Sequence, residues 1–85
     1  MKVLLPTPLL SYTKTREVEA GGATLVELLA DLDRQYPGLR FRVVDEQNMM
    51  RPHMRFFVNN EQVFVMTHSL RPTDSVILVQ ALSGG

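Results

Sequence analysis

Short apolar runs separated by polar breaks predict a chain of strands around one helix. Val3–Leu5 forms an apolar strand that Pro6 ends, because proline cannot donate a hydrogen bond to a central ladder. Residues 6–14 are expected to form a loop. Residues 15–20 alternate with period two, setting apolar positions against glutamates, which predicts a second strand with one solvated face.

The clearest element is a helix from Thr24 to Tyr36. Thr24 and Glu27 have the spacing of a capping box, and Pro37-Gly38 ends the helix. One apolar stripe follows the helical period, formed by Leu25, Leu28, Leu29, Leu32 and Tyr36. The charged residues on the opposite face are interpreted as solvated rather than as a catalytic carboxylate pair.

The second half of the chain predicts a hairpin and a final strand. Residues 54–58 and 61–65 flank Asn59-Asn60, which tolerates the positive φ of a tight turn. Residues 70–75 form a turn, and the β-branched run Val76–Val79 predicts a buried strand. The first part of residues 39–52 fits either a helical turn or a strand, and a polar loop follows it.

The order strand, strand, helix, link, three strands predicts an α+β fold of the β-grasp (ubiquitin-like) type. One main helix packs on one face of a mixed sheet of four to five strands. The apolar first and last strands lie side by side and parallel at its centre. Residues 1–82 form the domain, and residues 83–85 form a flexible tail.

A single helix covers one face of such a sheet, so the other face is exposed. In the expected register the covered set is Met54, Phe56, Val58, Val76 and Leu78. The exposed set is Arg55, Phe57, Ile77 and Val79, with Leu4 beside them. An exposed apolar patch of this kind marks a docking surface. Alternatively, the Met49–Met50 loop or a second copy covers it, and a shift of one residue would exchange the two sets.

The chain closes on Leu82, Ser83, Gly84 and Gly85. A glycine pair enters a slot too narrow for a Cβ, so a partner enzyme could grip the Gly85 carboxylate deep in its own site. Leu82 and Ser83 are expected to contact that partner as well. The alternative is a frayed terminus without a role.

Composition excludes several classes of function. Nine basic and nine acidic residues cancel, which argues against nucleic-acid binding. The chain has no cysteine, so a disulfide, a thiolate metal site, a cysteine nucleophile and a ferredoxin cluster are excluded.

His53 and His68 are isolated, so neither a triad nor a metal site is predicted. No segment has membrane-spanning length, and a cytoplasmic location is expected.

The sequence resembles the ubiquitin-like sulfur carriers of the MoaD/ThiS family over nearly its whole length. The resemblance lies in the capped helix ending Tyr-Pro-Gly-Leu-Arg, in Phe57-Val58-Asn59-Asn60-Glu61, and in Ala81-Leu82-Ser83-Gly84-Gly85. Many relatives have proline at the position of Gln80, alanine at that of Ser83, and Asp-Gly-Asp at that of Pro72-Thr73-Asp74.

The resemblance implies a carrier rather than an enzyme, with no bound cofactor. An E1-like adenylating enzyme would use ATP to activate the Gly85 carboxylate. A sulfur donor protein would then convert it to a thiocarboxylate, and a downstream synthase would take the sulfur. Arg51, Arg55 and Arg71 are expected either to meet acidic groups on a partner or to be solvated charges.

Three alternatives stay open within and beyond this class. The sulfur could go to molybdopterin, to thiamine thiazole, to cysteine or another amino acid, or to a thiocarboxylate metabolite. The chain could instead be a non-covalent β-grasp interaction module. It could also be a ubiquitin-like modifier attached to other proteins through Gly85.

Overall fold

A mixed five-stranded sheet forms the body of the protein in the computed structural model, which describes residues 1–81. The strands are β1 (Lys2–Leu4), β2 (Glu17–Glu19), β3 (Met54–Val58), β4 (Glu61–Val63) and β5 (Ser75–Gln80). Their order is β2-β1-β5-β3-β4, with β1 and β5 parallel and the other neighbours antiparallel. The predicted β-grasp and its central parallel pair are confirmed.

The helices are α1 (Leu10–Thr13), α2 (Leu25–Gln35) and α3 (Leu39–Val43), and a 3₁₀ turn at Thr7–Leu9 precedes α1. No helix within residues 1–81 is both long and apolar enough to span a membrane. The predicted tail, residues 83–85, lies outside the described residues.

Helix α2 covers one face of the sheet, as its apolar stripe predicted. Thr24 Oγ1 accepts a hydrogen bond from the Glu27 backbone N–H, and Glu27 Oε1 accepts one from the Ala23 backbone N–H. The first bond satisfies a donor that the first helical turn leaves unpaired, and the second fixes the residue before the N-cap. The leucines of the stripe are fully buried and share one core with sheet residues such as Val3, Phe56, Val76 and Leu78.

The prediction of a plain loop over residues 6–14 is wrong, because this segment forms the 3₁₀ turn and α1. Pro6 and Pro8 suggested breaks, yet both occupy the start of the helical stretch, where proline loses no hydrogen bond. The turns bury Leu9 completely. Thr13 is also buried, and its hydroxyl donates to the Thr15 carbonyl oxygen at 2.7 Å.

Residues 39–43 adopt the helical alternative and bury Leu39 and Val43, which are four residues apart. The two edge strands are shorter than predicted: Glu17–Glu19 instead of residues 15–20, and Glu61–Val63 instead of residues 61–65. After Val63 the chain leaves the sheet toward the start of α2, where Met66 is buried and its carbonyl oxygen accepts from the Val26 N–H at 3.1 Å.

The hairpin turn is tied to the loop that precedes β5. Asn59 and Asn60 have positive φ, as a tight hairpin turn requires. Asn59 Oδ1 accepts from the Ser75 N–H, and its Nδ2 donates to Asp74 Oδ1 at 2.9 Å. Asp74 Oδ2 accepts from the Arg71 N–H at 2.8 Å. The start of β5 is therefore fixed by side chains as well as by its ladder.

The close packing of the loop before α2 can be tested by substitution of its two glycines, Gly21 and Gly22. A Cβ on Gly22 would lie 2.6 Å from the Leu28 nitrogen and 2.8 Å from the Glu27 carbonyl carbon, whereas a Cβ on Gly21 meets nothing within 4 Å. We expect Gly22→Ala to lower the free energy of unfolding by about 1–3 kcal/mol, because backbone must move. Gly21→Ala is the matched control and should not be destabilising. Equal urea midpoints for the two variants would contradict this packing.

The hydrogen bonds that Asp74 accepts predict that the free energy of unfolding depends on pH. The Arg71 N–H, then the Asn59 side chain, lower the pKa of Asp74. A lowered folded pKa stabilises the protein above the pKa of a free aspartate, about 3.9, and this contribution is lost as pH falls through the folded value. We expect Asp74→Asn to lower the free energy of unfolding at neutral pH. The difference from the unsubstituted protein should shrink below about pH 4. Urea unfolding at a series of pH values measures it, and a constant difference would refute the assignment.

Candidate functional site

The sheet face away from α2 has an apolar centre. Ile77 on β5 is paired with Leu4 on one side and with Phe57 on the other, so the three side chains form a row across three strands. All three are half-buried. Val79, which is 39% exposed, pairs with Arg55 in the next row. We call Leu4, Phe57, Ile77 and Val79 the open face.

The predicted register is confirmed by burial. The side chains between these positions are buried on the α2 side of the sheet: Met54, Phe56, Val58, Val76 and Leu78. Polar residues flank the apolar row, since Glu17 pairs with Leu4 and Gln62 pairs with Phe57. An apolar centre with a polar rim is the usual anatomy of a protein–protein interface.

The Met49–Met50 loop does not line the surface groove that Leu4, Ile77 and Val79 share. Val44 forms a bridge with Met50, and the Arg51 N–H bonds the Val43 carbonyl oxygen, which holds the loop against α3. Met50 packs against the core, and Met49 is 61% exposed.

A groove of about 700 Å³ opens beside the open face because β1 ends before β5 does. β1 pairs with β5 only as far as Ile77, and the chain then turns away at Pro6. Beyond Ile77, β5 therefore has no neighbouring strand on that side. The groove walls are mainly apolar, and Arg16 and His53 add polar groups.

The last described residue, Ala81, lines this groove. The Ala81 N–H donates to the His53 carbonyl oxygen at 2.7 Å, so the pairing of β5 with β3 continues to the last described residue. The predicted contact residues Leu82 and Ser83, and the predicted reactive residues Gly84 and Gly85, lie outside the described residues. Four extended residues can reach at most about 14 Å from Ala81.

Cationic side chains surround the end of β5. Arg51 Nε donates to the Phe41 carbonyl oxygen at 2.6 Å, and Arg55 Nη1 donates to the Pro52 carbonyl oxygen at 2.6 Å. Arg71 does not join them, because it precedes β5 at the opposite end of the strand. Arg16 and Arg42 do join them, although no local sequence pattern marked either one.

The two histidines contribute backbone carbonyl oxygens to the fold. The carbonyl oxygen of His68 accepts from the Leu25 N–H at 3.2 Å, and that of His53 holds Ala81, so both contribute backbone contacts. Within residues 1–81, no three histidine, aspartate or glutamate side chains are grouped as ligands for a metal ion.

The fold and this surface define a ubiquitin-like protein whose strand β5 carries an exposed apolar face and precedes a Gly-Gly sequence. The sequence matches the ThiS family over residues 3–85. It is also 30% identical to the sulfur carrier protein CysO of Mycobacterium tuberculosis, over 98% of this chain and 96% of that protein. The chain belongs to the ThiS family.

Solved structures agree with this assignment. CysO in the BexX/CysO complex of Amycolatopsis orientalis superposes with a TM-score of 0.90 at 28% identity, covering 99% of this chain and 98% of that one. Small archaeal modifier protein 1 of Haloferax volcanii gives 0.78 at 25% identity, covering 100% and 98%. The protein is thus a small carrier of the sulfur carrier family and not itself an enzyme.

Proposed function

We propose that an ATP-dependent adenylating enzyme binds the open face and activates the Gly85 carboxylate. The observation that carries this proposal is the position of the apolar row at the root of a Gly-Gly terminus. The same strand, β5, supplies Ile77 and Val79 to the surface and leads directly into residues 82–85. A partner docked on the face therefore holds the origin of the tail at a fixed distance from its own site.

The reach of the tail limits the geometry of that complex. The site that receives Gly85 must lie within about 14 Å of Ala81. Absence of a Cβ at both Gly84 and Gly85 allows entry into a narrow channel. A binding surface remote from the tail would not satisfy this limit, and so the proximity of the open face supports its role in docking.

The chemistry proceeds in two displacements. The Gly85 carboxylate attacks the α-phosphate of ATP, pyrophosphate leaves, and an acyl-adenylate forms. Hydrosulfide then attacks the acyl carbon as its bond to AMP breaks, leaving a thiocarboxylate. A donor persulfide would first displace AMP to give an acyl persulfide. A thiol would then cleave its S–S bond, releasing the thiocarboxylate and leaving a disulfide between the thiol and the donor. Because the chain contains no cysteine, it is not itself the source of the sulfur.

The carrier then delivers its sulfur to a synthase for a biosynthetic product. The complex of a similar CysO with BexX supports the use of a protein partner. ATP is bound by the adenylating enzyme rather than by the carrier. A cytoplasmic location suits this chemistry, since both ATP and reduced sulfur donors are available there.

A ubiquitin-like modifier is the second candidate, favoured by the likeness to small archaeal modifier protein 1. It uses the same acyl-adenylate but ends in an isopeptide bond between Gly85 and a lysine. The two functions differ only in the nucleophile that meets the activated carbonyl carbon.

The proposed chemistry is tested by coexpression of this protein with its adenylating enzyme and a sulfur donor. Intact mass should show an oxygen-to-sulfur exchange confined to Gly85. Deletion of Gly85 should abolish the exchange, whereas Gly21→Ala, far from the terminus, should retain it. Persistence of the exchange after the deletion would refute the site. Gly-Gly remnants on lysines of other proteins, without thiocarboxylate, would assign the modifier function instead.

The docking role of the open face is tested with Ile77→Asp. A carboxylate at the centre of an apolar interface costs desolvation, so we expect binding to the adenylating enzyme to weaken at least about tenfold. Phe64→Asp is the control, because Phe64 is 75% exposed and lies outside the face. Calorimetric titration measures the affinity, and urea unfolding verifies that both variants fold. Equal affinities of the Ile77→Asp and Phe64→Asp variants for the adenylating enzyme would show that the open face is not the docking surface.

A further inference from the structure

Four arginines ring the end of β5, and we call Arg16, Arg42, Arg51 and Arg55 the arginine collar. Arg16 lines the groove beside the open face. Arg42 and Arg51 line a shallow pocket that shares His53 and Gln80 with that groove. Arg55 pairs with Val79 in the sheet. The four arginines therefore come from separate segments of the chain and lie around the end of β5.

Within residues 1–81, no ion pair balances the positive charges of the collar. Arg51 and Arg55 donate to backbone carbonyl oxygens, which orient a guanidinium group without neutralising it. No carboxylate oxygen within residues 1–81 lies in ion-pair distance, 4.0 Å, of any of the four. The pKa of Asp45 is lowered mainly by the backbone N–H groups of Met49 and Gln47, and to a smaller extent by the charge of Arg51.

Three of the other cationic groups form ion pairs within residues 1–81. Arg34 pairs with Asp31, and Lys2 Nζ lies 3.9 Å from Glu17 Oε1. The amino terminus lies 3.4 Å from Glu19 Oε2. Because the chain as a whole is neutral, the concentration of unpaired arginines at the tail end makes the charge distribution asymmetric. Carboxylates at the far end, such as Glu61 and Asp74, increase the asymmetry.

We infer that the adenylating partner presents carboxylates around an apolar ridge, so that the arginine collar meets acidic groups while the open face meets the ridge. This inference rests on the proposed function and specifies the chemistry of the partner surface. Charges at an interface rim act mainly on the association rate, which they raise by about 10- to 1,000-fold at low salt. The collar thus guides the tail end, rather than any other part of the molecule, toward the enzyme.

The test is ATP–pyrophosphate exchange by the adenylating enzyme as a function of carrier concentration and of sodium chloride. The half-saturating concentration of the unsubstituted carrier should rise with salt. The double variant Arg16→Glu/Arg51→Glu should raise it at least about tenfold at low salt, and the Arg16→Gln/Arg51→Gln variant should fall between. Arg71→Glu, the same charge reversal at the opposite end of β5, is the matched control and should leave it close to that of the unsubstituted carrier.

The outcomes separate this inference from the proposed function. Exchange that is indifferent to salt and to charge reversal leaves the proposed function standing and overturns the acidic partner surface. Complete absence of exchange with the unsubstituted carrier overturns both. Equal losses in the glutamine and glutamate variants, without salt dependence, would show that the arginines act by packing and would also overturn the inference. Urea unfolding of each variant verifies that the fold is retained.

Discussion

The unequal lengths of two paired strands determine where the proposed site lies. β5 is six residues long, and β1 covers only its first half. The covered half, held on both edges, fixes β5 at the centre of the sheet. The remaining half is held on one edge by β3, as far as the bond between Ala81 and His53. The chain thus reaches the tail with its backbone direction fixed and one side left open as a groove.

Alternation along β5 gives the same strand two roles. Val76 and Leu78 are buried under α2, and their burial anchors the strand by about 1.5–3 kcal/mol per side chain. Ile77 and Val79 point the other way and make the surface next to the groove. A change at Val76 or Leu78 is therefore expected to act through folding, and one at Ile77 or Val79 through binding. The fold and the proposed docking surface can vary separately although they share a backbone.

Sequence patterns located the elements whose signals are local. The capping box and leucine stripe identified α2, Asn59-Asn60 identified the hairpin turn, and alternation on β3 set the register. Patterns failed for residues 6–14, where proline suggests a break but suits the first turn of a helix equally well. Arg51 and Arg55 of the arginine collar were expected near a partner, whereas Arg16 and Arg42 could not be predicted, because they become neighbours of β5 only through the topology. Gly84 and Gly85 stay predictions of the sequence.

A carrier that serves several partners needs recognition without tight retention. The apolar row spans three half-buried side chains, which is small beside the roughly 800 Å² that each partner contributes to a stable complex. Affinity from such a row is limited, so dissociation can be rapid. Unpaired arginines add speed of encounter more than strength of binding. In the proposed cycle the carrier visits an adenylating enzyme, a sulfur donor and a synthase in turn. A small apolar face with a charged rim meets that requirement, because each partner can bind the same surface and supply its own contacts to the tail.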